Sequence, residues 1–341
     1  MKSIKDLKFN GYLFSFYRNK DYCYNTCENG ELFLSFPKNF NDKFEGKVLV
    51  DKNEFAIEYS SRIFGEDFVL EFDKNALGED FFKKLENLKL IKESKFKHWE
   101  GDDDFNKWDI LYEYGIDKLK KDILNKYNLY TKELMKVRNR YAIACFSTIP
   151  PTQNVVLWAH YADNYKGFCV AYNLDIIYSD FETERECPYK KYLTEHIYKV
   201  KYTDKFKGFN VKKLLNIPVN KIEKNKEVHK YIKEILTIKQ KQWAYEDEYR
   251  LIIDLEDKFL LKVKVCKKGF SIKFPYYQCV YGYDIPKDSK KYKALVSIGK
   301  KNNVLLGNLI LSSQERALVI DQNSFLEERF EWYKSNYYFN L

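Results

Sequence analysis

Long apolar runs are missing from this chain: no window approaches the roughly 18 unbroken apolar residues that a membrane-spanning helix requires. The opening MKSIKDLKFNGYLFSF also lacks the apolar core and small-residue cleavage site of a secretory signal. The expected location is therefore cytoplasmic, with no membrane partner. Glycine and proline are scarce, 13 and 7 of 341 residues, which argues against a disordered or low-complexity chain. Cysteine is sparse and odd in number, with seven at positions 23, 27, 145, 169, 187, 266 and 279. The one close pair, Cys23 and Cys27, has no companions at zinc-like spacing, so neither a disulfide framework nor a structural metal is expected. GxGxxG, the P-loop lysine pattern, HExxH and GxSxG are all absent, which removes the commonest nucleotide-binding and hydrolase classes. A concentrated basic block is missing too. The net charge of +9 is spread among acidic residues, which permits nucleic-acid binding without implying it.

What the chain has in abundance is aromatic side chains, 18% of the total, including 29 Tyr and 26 Phe. A chain of this length buries a substantial core, and this composition is that of an ordered globular protein. Alternation predicts strands at 11–18, 31–37, 141–148, 168–174, 195–204 and 248–254, then several short runs toward the C-terminus. Between the first two, Glu28-Asn29-Gly30 reads as a turn. Apolar residues at three-to-four spacing predict helices within 53–140, a Lys-rich amphipathic helix over about 219–244 and a short helix near 287–301. A further helix start is capped near Thr152 or Asn154 and broken at Gly167. The regular βαβ rhythm of a doubly wound sheet and any clear linker are lacking. The reading is α+β: a single domain over 1–341, with a helical insertion at 53–140 and the main sheet within 141–320.

Three polar clusters carry the candidate chemistry. In FNDKFEG (40–46), Asn41 and Asp42 lie between Phe40 and Phe44, two phenylalanines expected to anchor the loop inward, and Glu45 follows the second. The segment is either a capping loop whose Asn and Asp satisfy backbone donors or one wall of a pocket. LWAHYADNYKG (157–167) sets Trp158, His160, Tyr161 and Lys166 close together. His160 there is a packing residue or a base, and the aromatic setting suits a stacked base or nicotinamide ring. In WAYEDEYRL (243–251), strand alternation places Glu246, Glu248 and Arg250 on one face. That face is either a salt-bridged edge or a site in which Arg250 holds one glutamate ionised while the other acts.

With FSFYR (14–18), FNDKFEG (40–46), ACFST (144–148), WAHYADNYKGFC (158–169) and WAYEDEYR (243–250) in this order, the sequence resembles a bacterial family known as domain of unknown function 2971. Lys43 stands where that family usually has proline. More weakly, the order of Arg18, Ser35 and Glu246-x-Glu248 is similar to that of ADP-ribosyltransferase-like domains. That resemblance implies a split, mainly antiparallel sheet that holds NAD as substrate.

The two resemblances together imply a nucleotide-directed effector enzyme, by ADP-ribosyl transfer or NAD glycohydrolysis, acting in bacterial antiphage defence or as a toxin. Glu248, Glu246 and His160 would be catalytic. Arg18, Ser35, Asn41, Asp42, Glu45, Trp158, Tyr161, Lys166 and Arg250 would bind the nucleotide, with no metal. Two alternatives stay open. One is a metal-dependent nuclease or nucleic-acid-binding effector in which Asp42, Glu45, Glu246 and Glu248 gather a divalent ion. The other is a non-enzymatic module whose aromatic clusters sense a ligand.

Overall fold

A computed structural model describes residues 11–40, 42, 44–64, 115–174, 190–257, 265–274, 278–282, 284–302, 304–312 and 318–321. The middle of the helical stretch expected within 53–140, part of the short runs expected toward the C-terminus, Cys187, Asn41 and Lys43 lie outside these residues. The chain divides into two compact units, one of 1–45, 140–204 and 237–341, the other of 46–139 and 205–236.

The first unit is built on a mixed α+β plan. Its strands are β1 (Tyr12–Tyr17), β2 (Glu31–Ser35), β3 (Tyr141–Ser147), β4 (Phe168–Asn173), β5 (Ile197–Lys199), β6 (Lys201–Tyr202), β7 (Ile238–Lys239), β8 (Glu248–Asp254), β9 (Gly269–Lys273), β10 (Gln278–Tyr281), β11 (Leu305–Leu311) and β12 (Leu318–Asp321). All but β6 and β7 join one sheet, antiparallel throughout except for the parallel β10–β11 pair. Helices α1 (Asp21–Glu28), α4 (Val155–Tyr161), α5 (Lys190–Glu195) and α8 (Lys290–Asn302) belong to this unit. Among the described residues, the other unit holds helices α2 (Lys52–Phe64), α3 (Ile116–Asn139), α6 (Val211–Leu215) and α7 (Lys226–Leu236).

Strand alternation sorts the first unit's sheet into two faces. On one, Leu13, Phe168, Val170, Tyr172, Tyr249 and Leu251 form the larger core, covered by Cys23, Tyr24 and Cys27 of α1 and by Leu295 and Ile298 of α8. Cys23 and Cys27 are thus explained by packing, because residues four apart share one helical face. On the other, Phe14, Cys169, Ala171 and Val280 pack against Trp158 and Ala162 at α4. Gly167 lets α4 turn into β4, since a Cβ there would strike the Tyr17 carbonyl oxygen of β1.

The sheet is split at β3. Along one edge β3 pairs with β8 through seven residues, from Tyr141↔Asp254 to Ser147↔Glu248. Along the other it meets β1 only at Phe14↔Ser147 and β2 only at Ser35↔Ile143. Beyond those points β1 follows β4 and β2 follows β9, each through a full-length antiparallel ladder. Part of the edge of β3 between them is left without a strand, and Ser15 Oγ satisfies the Cys145 carbonyl there at 3.3 Å.

In the second unit, Phe55 of α2 packs on Tyr59 and on Tyr127 and Tyr130 of α3. The Tyr130 hydroxyl donates to the Ile217 carbonyl at 3.1 Å and that of Tyr231 in α7 to the Leu49 carbonyl at 3.1 Å. The single helix expected over 219–244 is instead a 3-10 turn (Val219–Lys224), then α7, which is capped by Asn225 Oδ1 accepting from the Glu227 and Val228 amides. The chain then leaves the helical path altogether. Ile238 and Lys239 form β7, paired in parallel with β6, and a second 3-10 turn follows at Lys241–Glu246. The segment at 21–28, expected as part of the connection to a turn, is helix α1.

Candidate functional site

The parting of β1 from β2 opens a cavity of about 780 Å³. Ser15, Phe16 and Tyr17 of β1 form one wall and Phe33 and Ser35 of β2 another, with Ala144, Cys145 and Phe146 of β3 between them. Tyr22, Cys23 and Thr26 of α1 line it from one face of the sheet, and Leu157, His160 and Tyr161 of α4 from the other. The remaining lining comes from the 39–45 loop and from residues 239–248.

At one end the lining is ionic. Lys239 Nζ lies 2.5 Å from Glu246 Oε2 and 3.1 Å from Glu248 Oε2. Arg250 donates to Glu248 through Nε at 2.8 Å and through Nη2 at 3.0 Å, and its Nη2 also pairs with Glu45 Oε1. The Tyr161 hydroxyl donates to Glu246 Oε1 at 2.9 Å. The Tyr202 hydroxyl accepts from the Glu248 amide at 2.8 Å. All five charged groups are buried, Arg250 completely.

Local backbone geometry produces this convergence. Register places Ser147 opposite Glu248 and Cys145 opposite Arg250, so these four side chains share the face of β3 and β8 that looks away from the larger core. Glu246, expected on the same strand, instead ends the 3-10 turn. Asp247, at φ +38°, makes the left-handed step that starts β8. The bend is held by the Ser147 hydroxyl donating to the Glu246 carbonyl at 2.6 Å, and by Asp247 accepting from Thr148 Oγ1 and pairing with Lys199 at 3.2 Å. It brings both glutamates to the same lysine although they are not alternating strand residues.

Burial sets the protonation behaviour of the cluster. It pushes the Glu248 carboxyl up to about 7, with Glu246 adding to the rise and Lys239 opposing it. For Lys239, burial pulls downward, but the charges of Glu248 and Glu246 and the proximity of Tyr161 outweigh it and hold the ammonium above its ordinary value. Burial lowers Arg250 and raises the Tyr161 phenol. The Cys145 thiol is open to the cavity yet deep in the protein. Burial, then the adjacent Glu248 charge, keeps it well above the usual thiol range, so it stands as a thiol rather than a thiolate.

Of the residues singled out from sequence, Ser35, Asp42, Glu45, His160, Tyr161, Glu246 and Glu248 line this cavity. Arg250 lies behind Glu248 and beneath Phe40, whose ring is 5.7 Å from the guanidinium. Three others do not reach it. Arg18 is exposed, 4.0 Å from Asp163. Trp158 is buried, stacked on Tyr165, with its indole N–H donating to the Pro151 carbonyl at 2.8 Å. Lys166 is exposed in the turn before Gly167. Asp42 does both things considered for its loop, because Oδ1 accepts from the Phe44 amide at 2.8 Å while the residue lines the cavity. Phe44 is not an inward anchor, being 53% exposed.

The sequence reading missed Lys239, Cys145 and Trp243. Lys239 was hidden by the helical reading of its segment. The β-branched Thr237-Ile238 pair just before it was the available sign that the helix had ended. Trp243 packs beside the Lys239 ammonium at 5.0 Å and edge-on to His160 at 6.3 Å.

Neither curated proteins nor solved structures gave a match to the chain. A family model did, over a segment that includes the WAHYADNYKGFC and WAYEDEYR clusters and therefore all but the first two residues of α4, with β4, Lys239 and both cavity glutamates of β8 and its approach. The FNDKFEG cluster at 40–46 precedes the matched segment. Residues 157–251 of this chain match the model of the family described as Protein of unknown function (DUF2971).

Proposed function

We propose that the cavity is the active site of an enzyme that breaks an N-glycosidic bond of a nucleotide, with NAD the first substrate to test. The observation that carries this reading is the pair of buried glutamates, Glu246 and Glu248, at the end of an aromatic-walled cleft, with Glu248 titrating near neutral pH. In such a reaction the bond between sugar carbon and base nitrogen breaks with its electrons leaving on the base, and positive charge develops on the sugar. A carboxylate beside that carbon stabilises the charge. Water then adds to the sugar carbon and gives up a proton, which a carboxylate with a pKa near 7 is suited to accept. Tyr161 and Lys239 hold Glu246 in place, while Arg250 and Lys239 orient Glu248. His160 and Trp243 supply wall surface for the base. The split antiparallel sheet also supports the comparison with ADP-ribosyltransferase-like domains, at the level of architecture. Arg18 has no part in this reading, because its partner is Asp163, outside the cavity lining.

The nuclease alternative is weakened by what surrounds the carboxylates. Lys239 and Arg250 already pair with Glu45, Glu246 and Glu248, where a divalent ion would need them unpaired. The ligand-sensing alternative has one observation in its favour: both oxygens of Glu248 are engaged by Lys239 and Arg250.

Incubation of the purified protein with NAD, with and without EDTA and nucleic acid, separates these readings. Nicotinamide release insensitive to EDTA supports the proposal, chelator-sensitive nucleic-acid cleavage supports a nuclease, and binding without turnover supports a sensor. Glu246→Gln is expected to lower turnover by at least about a hundredfold, the scale of losing one electrostatic group at a transition state. Full retention of NAD cleavage by a folded Glu246→Gln protein overturns the assignment.

A further inference from the structure

The proposed reaction leaves open which part of a substrate faces the ionic end of the cavity, and the charges there bear on it. Among the described residues lining the cavity, Asp42, Glu45, Glu246 and Glu248 are acidic, against one basic side chain, Lys239. Lys239 is itself held by two of those acids. Counting Arg250 behind the lining, four carboxyl groups face two cations, so the end of the cavity carries excess negative charge, and more of it when Glu248 is ionised. Of the three basic residues expected to bind the nucleotide, Arg18 and Lys166 lie outside the lining. Such surroundings repel phosphate and attract a cation.

The walls point the same way. Trp243, Tyr161, Phe16, Phe33 and Phe40 present aromatic surface to the cavity, and aromatic faces attract organic cations. One more group lacks a function in the folded chain. The Trp243 indole Nε1 is buried and has no hydrogen-bond partner, although the side chain lines the cavity. A buried donor left unpaired is costly, and a ligand acceptor would relieve it.

Building on the enzymatic reading, we infer that the ionic end of the cavity takes an aromatic organic cation of the pyridinium type, and that Trp243 donates to a carbonyl on that ring. Selectivity then comes from carboxylate excess and aromatic walls together, and the phosphates of a nucleotide lie away from Glu246 and Glu248. Binding is also linked to pH. Glu248 faces Cys145 from β3, Lys239 from β7, Glu246 from the 3-10 turn, Arg250 from β8 and Tyr202 from β6. Within this set Glu248 changes charge near neutrality. A bound cation favours its ionised form, so cation affinity falls as pH drops through about 7.

Calorimetric titration with 1-methylnicotinamide, nicotinamide and nicotinate tests this with three probes of nearly one shape and charges of plus one, zero and minus one. The cation is expected to bind roughly tenfold more tightly than the neutral probe, the scale of a desolvated cation–aromatic contact. Nicotinate is expected to bind most weakly, and the preference for the cation to shrink at pH 6 relative to pH 8. Trp243→Phe keeps an aromatic wall and removes the donor. It should weaken 1-methylnicotinamide several-fold, while binding of N-methylpyridinium, which has no carbonyl, changes little. Equal or tighter binding of nicotinamide or nicotinate by the unmutated protein overturns the inference. A preference for the cation without NAD cleavage leaves it standing and overturns the enzymatic reading. Cleavage without that preference does the reverse.

Discussion

Arg250 has no exposed surface, so its charge depends on the carboxylates around it, Glu248 and Glu45 in direct contact and Asp42 nearby. Removing one partner of a buried ion pair costs about 3–5 kcal/mol, because the other is left charged and desolvated. Arg250→Met is therefore expected to lower unfolding free energy by about that amount in urea denaturation. Tyr161→Phe, which removes one hydrogen bond to a carboxylate and no charge, should cost less, about 1.5–3 kcal/mol. The contrast is the test: similar losses for the two variants would mean that Arg250 is not the anchor of the cluster. Arg250, Glu248 and Glu246 were all legible as a convergent group from WAYEDEYR, although the reason was partly wrong. Alternation correctly joined Glu248 to Arg250, whereas Glu246 reaches the group through the left-handed step at Asp247. No local pattern gives that step away, since Asp is only one of the residues that tolerate it. Trp158 was misread for a related reason. An aromatic near a histidine has the same sequence signature whether it faces a cleft or, as here, the interior of the sheet.

At the scale of elements, strands were easier to read than the short pieces between them. Those at 12–17, 141–147, 168–173 and 248–254 carry runs of apolar or alternating residues long enough to show a pattern. Helix α1 spans eight residues and β7 two, too few for any period to emerge, so they were missed although the cavity depends on both. Element α4 sits between these extremes, because its ends are marked chemically. Asn154 Oδ1 accepts from the Leu157 amide at 3.1 Å, the helix stops before the turn at 163–166, and Gly167 fits against the Tyr17 carbonyl. Asn154→Ala should destabilise the protein by about 1 kcal/mol, as the loss of an N-cap does. Gly167→Ala should cost more. Its new methyl can be accommodated only by moving β1 or the α4–β4 turn, and either shift disturbs the β1–β4 ladder beside the cavity. Thermal denaturation of the two variants checks the ranking, and a Gly167→Ala protein as stable as the parent would show that the close approach to β1 is not required.

For the molecule as a whole, the buried cluster ties stability to pH with a definite sign. The carboxyl of Glu248 is raised from an ordinary value of 4.5 to about 7, so between these limits the folded chain binds a proton that the unfolded chain has released. Stability then falls as pH rises through this window, because the unfolded state binds fewer protons than the native one. Below about 4.5 both states are protonated at this position and its penalty vanishes, and above about 7 the penalty is complete. Two other groups act outside the window. Asp21, beside Lys291, is lowered by that hydrogen bond and affects stability only in more acidic solution, and Lys239 is raised and affects it only in alkali. Glu248→Gln removes the titration together with the ion pair. Near pH 5 the folded parent already carries a protonated Glu248, so the variant exchanges one neutral group for another and is expected to lie within about 1 kcal/mol of the parent there. Its stability should also decline less than the parent's between pH 5 and pH 7.5, since no proton is exchanged at residue 248. Midpoints of urea unfolding for both proteins, measured at half-unit intervals across this range, give the difference in slope directly. Parallel curves would place the proton elsewhere in the chain and would leave Glu248 ionised throughout, no longer suited to accept a proton from water at neutral pH.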